Sequence, residues 1–217
     1  ASAVLAYDFL HAAHPGLIYC SISGYGQTGP FKDRGGFDLV LQGQGGVMSV
    51  TGEPGGRPTK AGVPIIDFGA SANAAIGILA AWIAKAKTGV GQHVDVALLD
   101  VPVSWLGLLA AKFWSTGEVQ RATGSAHFMS APYQAFRTSD GHITIAAGNQ
   151  DLWLKTCVAL GLQHLSGDAR FCDNNSRARN QEALVPLIEE ALSVHPSAHW
   201  IEVIAGLGVP CGPINSV

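Results

Sequence analysis

Apolar positions change their period along this chain, and the changes mark its elements. Residues 4–13 (VLAYDFLHAA) read as a short helix stopped by Pro15-Gly16. Residues 17–22 (LIYCSI) are an apolar run of strand-favouring side chains, which predicts a buried strand. A loop of turn formers, SGYGQTGP, leaves its end at 23–30, and residues 37–44 (FDLVLQGQ) return to a helical pattern. After a glycine and proline hinge at 51–59, a helix rich in small residues runs from Asp67 to Lys87 and stops at the glycines of TGVG. Residues 93–99 (HVDVALL) alternate as a half-buried strand does, and 101–115 predict a second apolar helix.

The pattern shifts near Thr116. Residues 117–131 are polar and irregular and read as a linker. Two alternating runs, 133–136 and 142–147, flank TSDG at 138–141, a strong hairpin signal. Helices follow at 150–160, 180–192 and 197–206, the last capped by Ser197, and the chain ends in a turn-rich tail, GVPCGPINSV. The pattern is therefore α/β: one unit at 1–116, a linker at 117–131 and a second, α+β unit at 132–217, which the resemblance described below makes a partial large domain and a small domain.

Composition narrows the function. The net charge is −3 and the thirteen Lys and Arg are scattered, so no basic stripe for nucleic acid is present. With 47% hydrophobic and only 13% charged residues, much surface must be buried, some of it by a partner. The longest apolar runs, 74–84 and 101–111, are about half of the roughly 20 residues a membrane span needs. The N-terminal residues have neither the basic start nor the long apolar block of a signal peptide. Cys20, Cys157, Cys172 and Cys211 lie far apart, as reduced cysteines of a cytoplasmic protein do, and the histidines include no metal-binding spacing. Gly43-Gln44-Gly45-Gly46 lacks the strand–turn–helix spacing of a phosphate loop.

The candidate chemistry centres on Asp67, set among Val63, Pro64, Ile65, Ile66 and Phe68 where the long helix begins. The helix dipole favours the ionised carboxylate there, while apolar neighbours disfavour it by desolvation. Two readings stand: an ordinary N-cap, the commoner role, or a poorly hydrated carboxylate nucleophile. Tyr25 and Gln27 occupy the strand-end loop, where ligands of helix-covered sheets gather, and Phe37 and Asp38 open the next element. Arg34 is the cation closest to those glycines and is suited to an anionic ligand, though a solvated surface role is the commoner one.

Taken together, LIYCSISGYGQTGPFKDRGGFD at 17–38, GVPIID ending in Asp67, IGILAAWIAKAKTGVGQHVDVALLD at 76–100, PYQAFRTSDGHITIAAGNQDLW at 132–153, GDARF at 167–171 and GVPCGPINSV resemble the family III CoA-transferases in order. The resemblance implies that Asp67 is the nucleophile of a covalent transfer of CoA from an acyl-CoA to a small carboxylic acid. CoA is then a substrate, with no permanently bound cofactor and no metal. It further implies that Arg34, Gly35, Gly36 and Phe37 touch CoA, that Tyr25, Gln27 and Asp38 serve the substrate, and that the fold is a Rossmann-like large domain in an interlocked homodimer. Family members are longer, so the resemblance implies a central piece without the N-terminal CoA-binding portion or the C-terminal return. A non-catalytic, self-associating module is the alternative. The related racemases carry histidine where this chain has Phe37, which cannot exchange a proton, so racemisation ranks below transfer.

Overall fold

A computed structural model of the chain describes residues 6–217. Contacts divide the chain into two compact units, Ala1–Ala122 and Thr123–Val217.

In the first unit the helix expected at 4–13 spans Tyr7–Ala13 (α1), and its expected start, Val4 and Leu5, lies outside the described residues. Tyr19–Ser23 (β1) and His93–Ala97 (β2) pair in parallel, in register from Tyr19↔His93 to Ser23↔Ala97. A parallel pair requires a crossover. Here it contains Asp38–Gln44 (α2), Val47–Val50 (α3) and the 24-residue Ile65–Thr88 (α4). Gly89, in the left-handed region at φ 74°, ends α4 and donates its N–H to Lys85 O. The expected helix at 101–115 is two helices, Asp100–Trp105 (α5) and Gly107–Thr116 (α6), broken at Leu106. The short α3 has no signature in sequence, because its four residues follow glycines and carry no period.

Glycines set how α4 lies. A Cβ on Gly77 would stand 2.6 Å from Val94 Cγ1, and one on Gly69 would stand 2.4 Å from Val101 Cγ1 and 2.7 Å from the Trp105 ring. Lys85 reaches back to Gly16, ahead of β1. The helix therefore runs from the exit of β2 to the entry of β1, with its first turn at the C-terminal ends of both strands. The core is small: Leu41, Ile66, Ala70, Ala74, Val96 and Val101 are buried in it. In length and composition α4 would suffice to cross a bilayer, more than its broken apolar runs suggest. In this unit its glycine face lies on β2 and α5 instead.

The second unit is built on the hairpin read from TSDG. Tyr133–Arg137 (β3) and His142–Ala146 (β4) are antiparallel, and Thr138 N–H donates to Gly141 O at 2.9 Å. The tail read as turns contributes a third strand, Cys211–Pro213 (β5), on the free side of β4. Glycine and flanking prolines conceal so short an edge strand in sequence. Helices Gln150–Leu160 (α7), Asn174–Arg179 (α8), Gln181–Leu192 (α9) and Ser197–Gly206 (α10) complete the unit. The separate α8, capped by Asp173 on Ser176 N–H, is additional to the expected helices. Phe136, Ile143, Trp153, Phe171, Leu184, Ile188 and Ile204 form a continuous buried core. Arg177 is buried with them and donates to Ala131 O, Phe171 O and Gln150 Oε1. All four cysteines are free; burial pushes the Cys157 thiol up to about 12.

Candidate active site

Asp67 is the third residue of α4, so it does not cap the helix. The residue at the cap position is Pro64, whose side chain cannot accept a hydrogen bond. The acceptor comes from elsewhere in the chain: Ile66 N–H donates to Asp38 Oδ1 at 2.8 Å. Asp67 is left exposed, and among the described residues no hydrogen bond or ion pair engages its carboxylate. The expectation that its apolar neighbours would dehydrate it is corrected. Val63 and Phe68 point outward and are more than half exposed, so they leave the carboxylate in water.

The loop after β1 is tied down at several points. Leu98 N–H donates to Ser23 O and Leu99 N–H to Gly24 O, which anchors the loop to the exit of β2. Gly24 and Gly36 cross backbone to backbone: a Cβ on Gly24 would stand 2.9 Å from Gly36 Cα. Gly26 N–H donates to Ser23 Oγ, and Gln27 N–H to Asp95 Oδ2 at 2.8 Å. Those two amides are therefore spent inside the protein and are not free to serve an oxyanion. Burial, and to a lesser extent the Asp95 charge, raises the Cys20 thiol pKa and keeps it protonated.

Tyr25 O–H donates to Gln44 Oε1 at 2.7 Å, at the last residue of α2, and its ring meets Phe31 edge-on. Arg34 lies over the other partner of that contact, 4.1 Å from the Phe31 centroid. Arg34, Gly35 and Phe37 are exposed and Gly36 half-buried; Phe37, at 80% exposure, stands just before α2. Asp38 and Asp67 are thus brought to one helix start, while Tyr25 attaches to the opposite end of α2, roughly 10 Å of helix away.

Sequence reading missed Gln42. It is fully buried, four residues after Asp38, and its Nε2 donates to Asp38 Oδ2 at 2.6 Å while its Oε1 accepts from Ala61 N–H at 2.8 Å. The available signal was the Asp–Gln pair at helical i,i+4 spacing. Two clefts of this unit lie elsewhere. One of about 310 Å³ is bordered by Val50, Leu109 and Phe113, and one of about 380 Å³ by Arg57 and Arg121.

The model of CoA-transferase family III matches residues 1–217 throughout. The chain belongs to this family. Human succinyl-CoA:glutarate CoA-transferase is 36% identical over 213 residues, covering 98% of this chain and 49% of that protein. Acetyl-CoA:oxalate CoA-transferase of Acetobacter aceti is 36% identical over 212 residues, with 97% and 54% covered. A CAIB/BAIF family protein of Brucella suis has a structure similar at TM-score 0.82 and 41% identity, over 98% of this chain and 56% of that one. The chain spans about half the length of the curated relatives it matches.

Proposed function

We propose that this chain carries the nucleophile of an enzyme that moves CoA between an acyl-CoA and a small carboxylic acid. The observation that carries the reading is an accessible Asp67 carboxylate, unbonded among the described residues, at the helix start where both strands end. Asp67 Oδ attacks the thioester carbonyl carbon, the C–S bond breaks and CoA thiolate leaves, forming a mixed anhydride. The thiolate attacks the aspartyl carbonyl, releasing the donor acid and leaving an aspartyl-CoA thioester. The acceptor carboxylate then attacks that carbonyl and expels thiolate, which takes the acceptor's acyl carbon and frees Asp67. Covalent relay of this kind splits one difficult exchange into easier steps. Desolvation of Asp67 comes from the bound substrate, for which Phe37 and Phe68 offer apolar surface on the two segments joined at Asp38 and Ile66.

In this reading Arg34, Gly35, Gly36 and Phe37 meet CoA, Tyr25 and Gln27 border the substrate, and the acceptor is a small carboxylate of the kind named for the relatives. Residues 1–116 belong to a Rossmann-like large domain and 132–217 to a small one, in an interlocked, cytoplasmic homodimer. Incubation with acyl-CoA is expected to give a mass adduct on the Asp67 peptide that hydroxylamine converts to a hydroxamate. Asp67→Ala should abolish both adduct and transfer; undiminished transfer in that variant overturns the assignment.

The alternative of a non-catalytic, self-associating module is favoured by one observation: Ile76, Leu79, Trp82 and Ile83 of α4 are all more than half exposed. Calorimetry separates the two, since the module binds no CoA at millimolar concentration.

A further inference from the structure

The start of α4 has a wiring problem. The first amides of a helix have no partner within it, and a proline at the cap position supplies none. Ahead of it, Gly62, Val63 and Pro64 are exposed and belong to no regular element. Yet Asp67 sits on the turn that this segment leads into.

We infer that Asp38 and Gln42 form a clamp that positions Asp67. Resting on the reading of Asp67 as nucleophile, the inference makes Asp38 a positioning residue rather than a substrate contact. Both Asp38 oxygens are engaged: Oδ1 accepts from Ile66 N–H, next to Asp67, and Oδ2 accepts from Gln42 Nε2. Gln42 in turn accepts from Ala61 N–H, so one pair of side chains holds both ends of the approach to the helix. The Gln42 orientation is determined by its partners. A backbone N–H can only donate, so Oε1 must face Ala61 and Nε2 must face a carboxylate. Gln42 and Ile66 are fully buried, so water does not substitute for a lost bond there.

This alternation of donors and acceptors gives a swap test. In Asp38→Asn the new amide faces either Gln42 Nε2 or Ile66 N–H, and rotating Gln42 only moves the conflict to Ala61 N–H. In Gln42→Glu two carboxylates face each other across the former 2.6 Å bond. The double variant, D38N with Q42E, restores every bond. Its amide at position 38 accepts from Ile66 N–H and donates to the carboxylate at position 42, whose second oxygen accepts from Ala61 N–H. Amide hydrogen exchange at Ala61 and Ile66 reads the clamp, and the rate of Asp67 adduct formation reads its purpose.

Each single variant is expected to speed exchange at Ala61 and Ile66 and to slow adduct formation at least about tenfold, in kcat with KM little changed. The double variant is expected to recover both. A single that fails to fold while the double folds and reacts gives the same answer. A double as impaired as its worse parent, or singles with unchanged exchange, overturns the clamp. Restored exchange without restored adduct formation overturns the positioning role. No adduct on Asp67 in the unmodified protein sinks the nucleophile reading, and the positioning role with it, while exchange still judges the network.

Discussion

Asp67 and Asp140 show how little a residue's identity says about its job until its partners are known. Both are aspartates at sequence positions that suggest a cap or a turn. Asp67 caps nothing and is left available, whereas Asp140, in the β3–β4 turn, accepts from Ser197 N–H and Ser197 Oγ at 2.8 Å and from Thr138 Oγ1 at 3.1 Å. It thereby caps α10, the role that Ser197 was expected to fill. Those bonds, the Ser197 N–H foremost, hold the Asp140 carboxyl below the usual carboxylate range. A pKa lower in the folded than in the unfolded state stabilises the fold above the unfolded value of about 3.9. That contribution is lost as the pH falls through the folded value. Urea midpoints measured from about pH 6 to about pH 2 should therefore fall less steeply on the acid side in Asp140→Asn. An unchanged acid limb would show that the cap bonds contribute nothing.

At the scale of elements, α4 is seated by missing side chains. Gly69 fits between Val101, which is fully buried, and the Trp105 ring. Gly77 meets a single methyl of Val94. Alanine normally favours a helix over glycine by up to about 1 kcal/mol. Overpacking costs about 1–3 kcal/mol, so its sign wins where the neighbours cannot move. Gly69→Ala is expected to lower Tm clearly, Gly77→Ala less, because there only the half-buried Val94 side chain must rotate. Gly62→Ala, with nothing within 4 Å of its would-be Cβ, is the neutral control. Thermal melts of the three variants check the order.

For the whole molecule, the two units differ in how much they bury. The second encloses a continuous core from Phe136 to Val209, while the first leaves Ile76, Leu79, Trp82 and Ile83 in a stripe along α4, with Leu108 and Trp114 uncovered on α6. Exposed apolar surface of that kind is a candidate for contact with another polypeptide, a membrane or a ligand, and the first of these is the one put to test. The 217-residue chain is expected to self-associate in solution, and Leu79→Lys with Trp82→Lys should shift light scattering towards the monomer. Equal mass for the two proteins would rule this face out as the contact.

Local chemistry alone determined the strand-end loop, the two strands of the first unit though not their parallel pairing, the TSDG hairpin, the glycine stop of α4 and Asp67 near that helix's start. Each depends on neighbours a few residues apart, and apolar period or turn preference reports such neighbours directly. Tertiary structure decided the rest. Asp38 caps a helix 28 residues on, Asp140 one 57 residues on, and β5 finds β4 across the whole second unit. The exposure of Asp67 was illegible for the same reason. Val63 and Phe68 point outward while Ile66 turns into the core, and only the packing of the surrounding elements determines whether such side chains cover a charge or leave it to water.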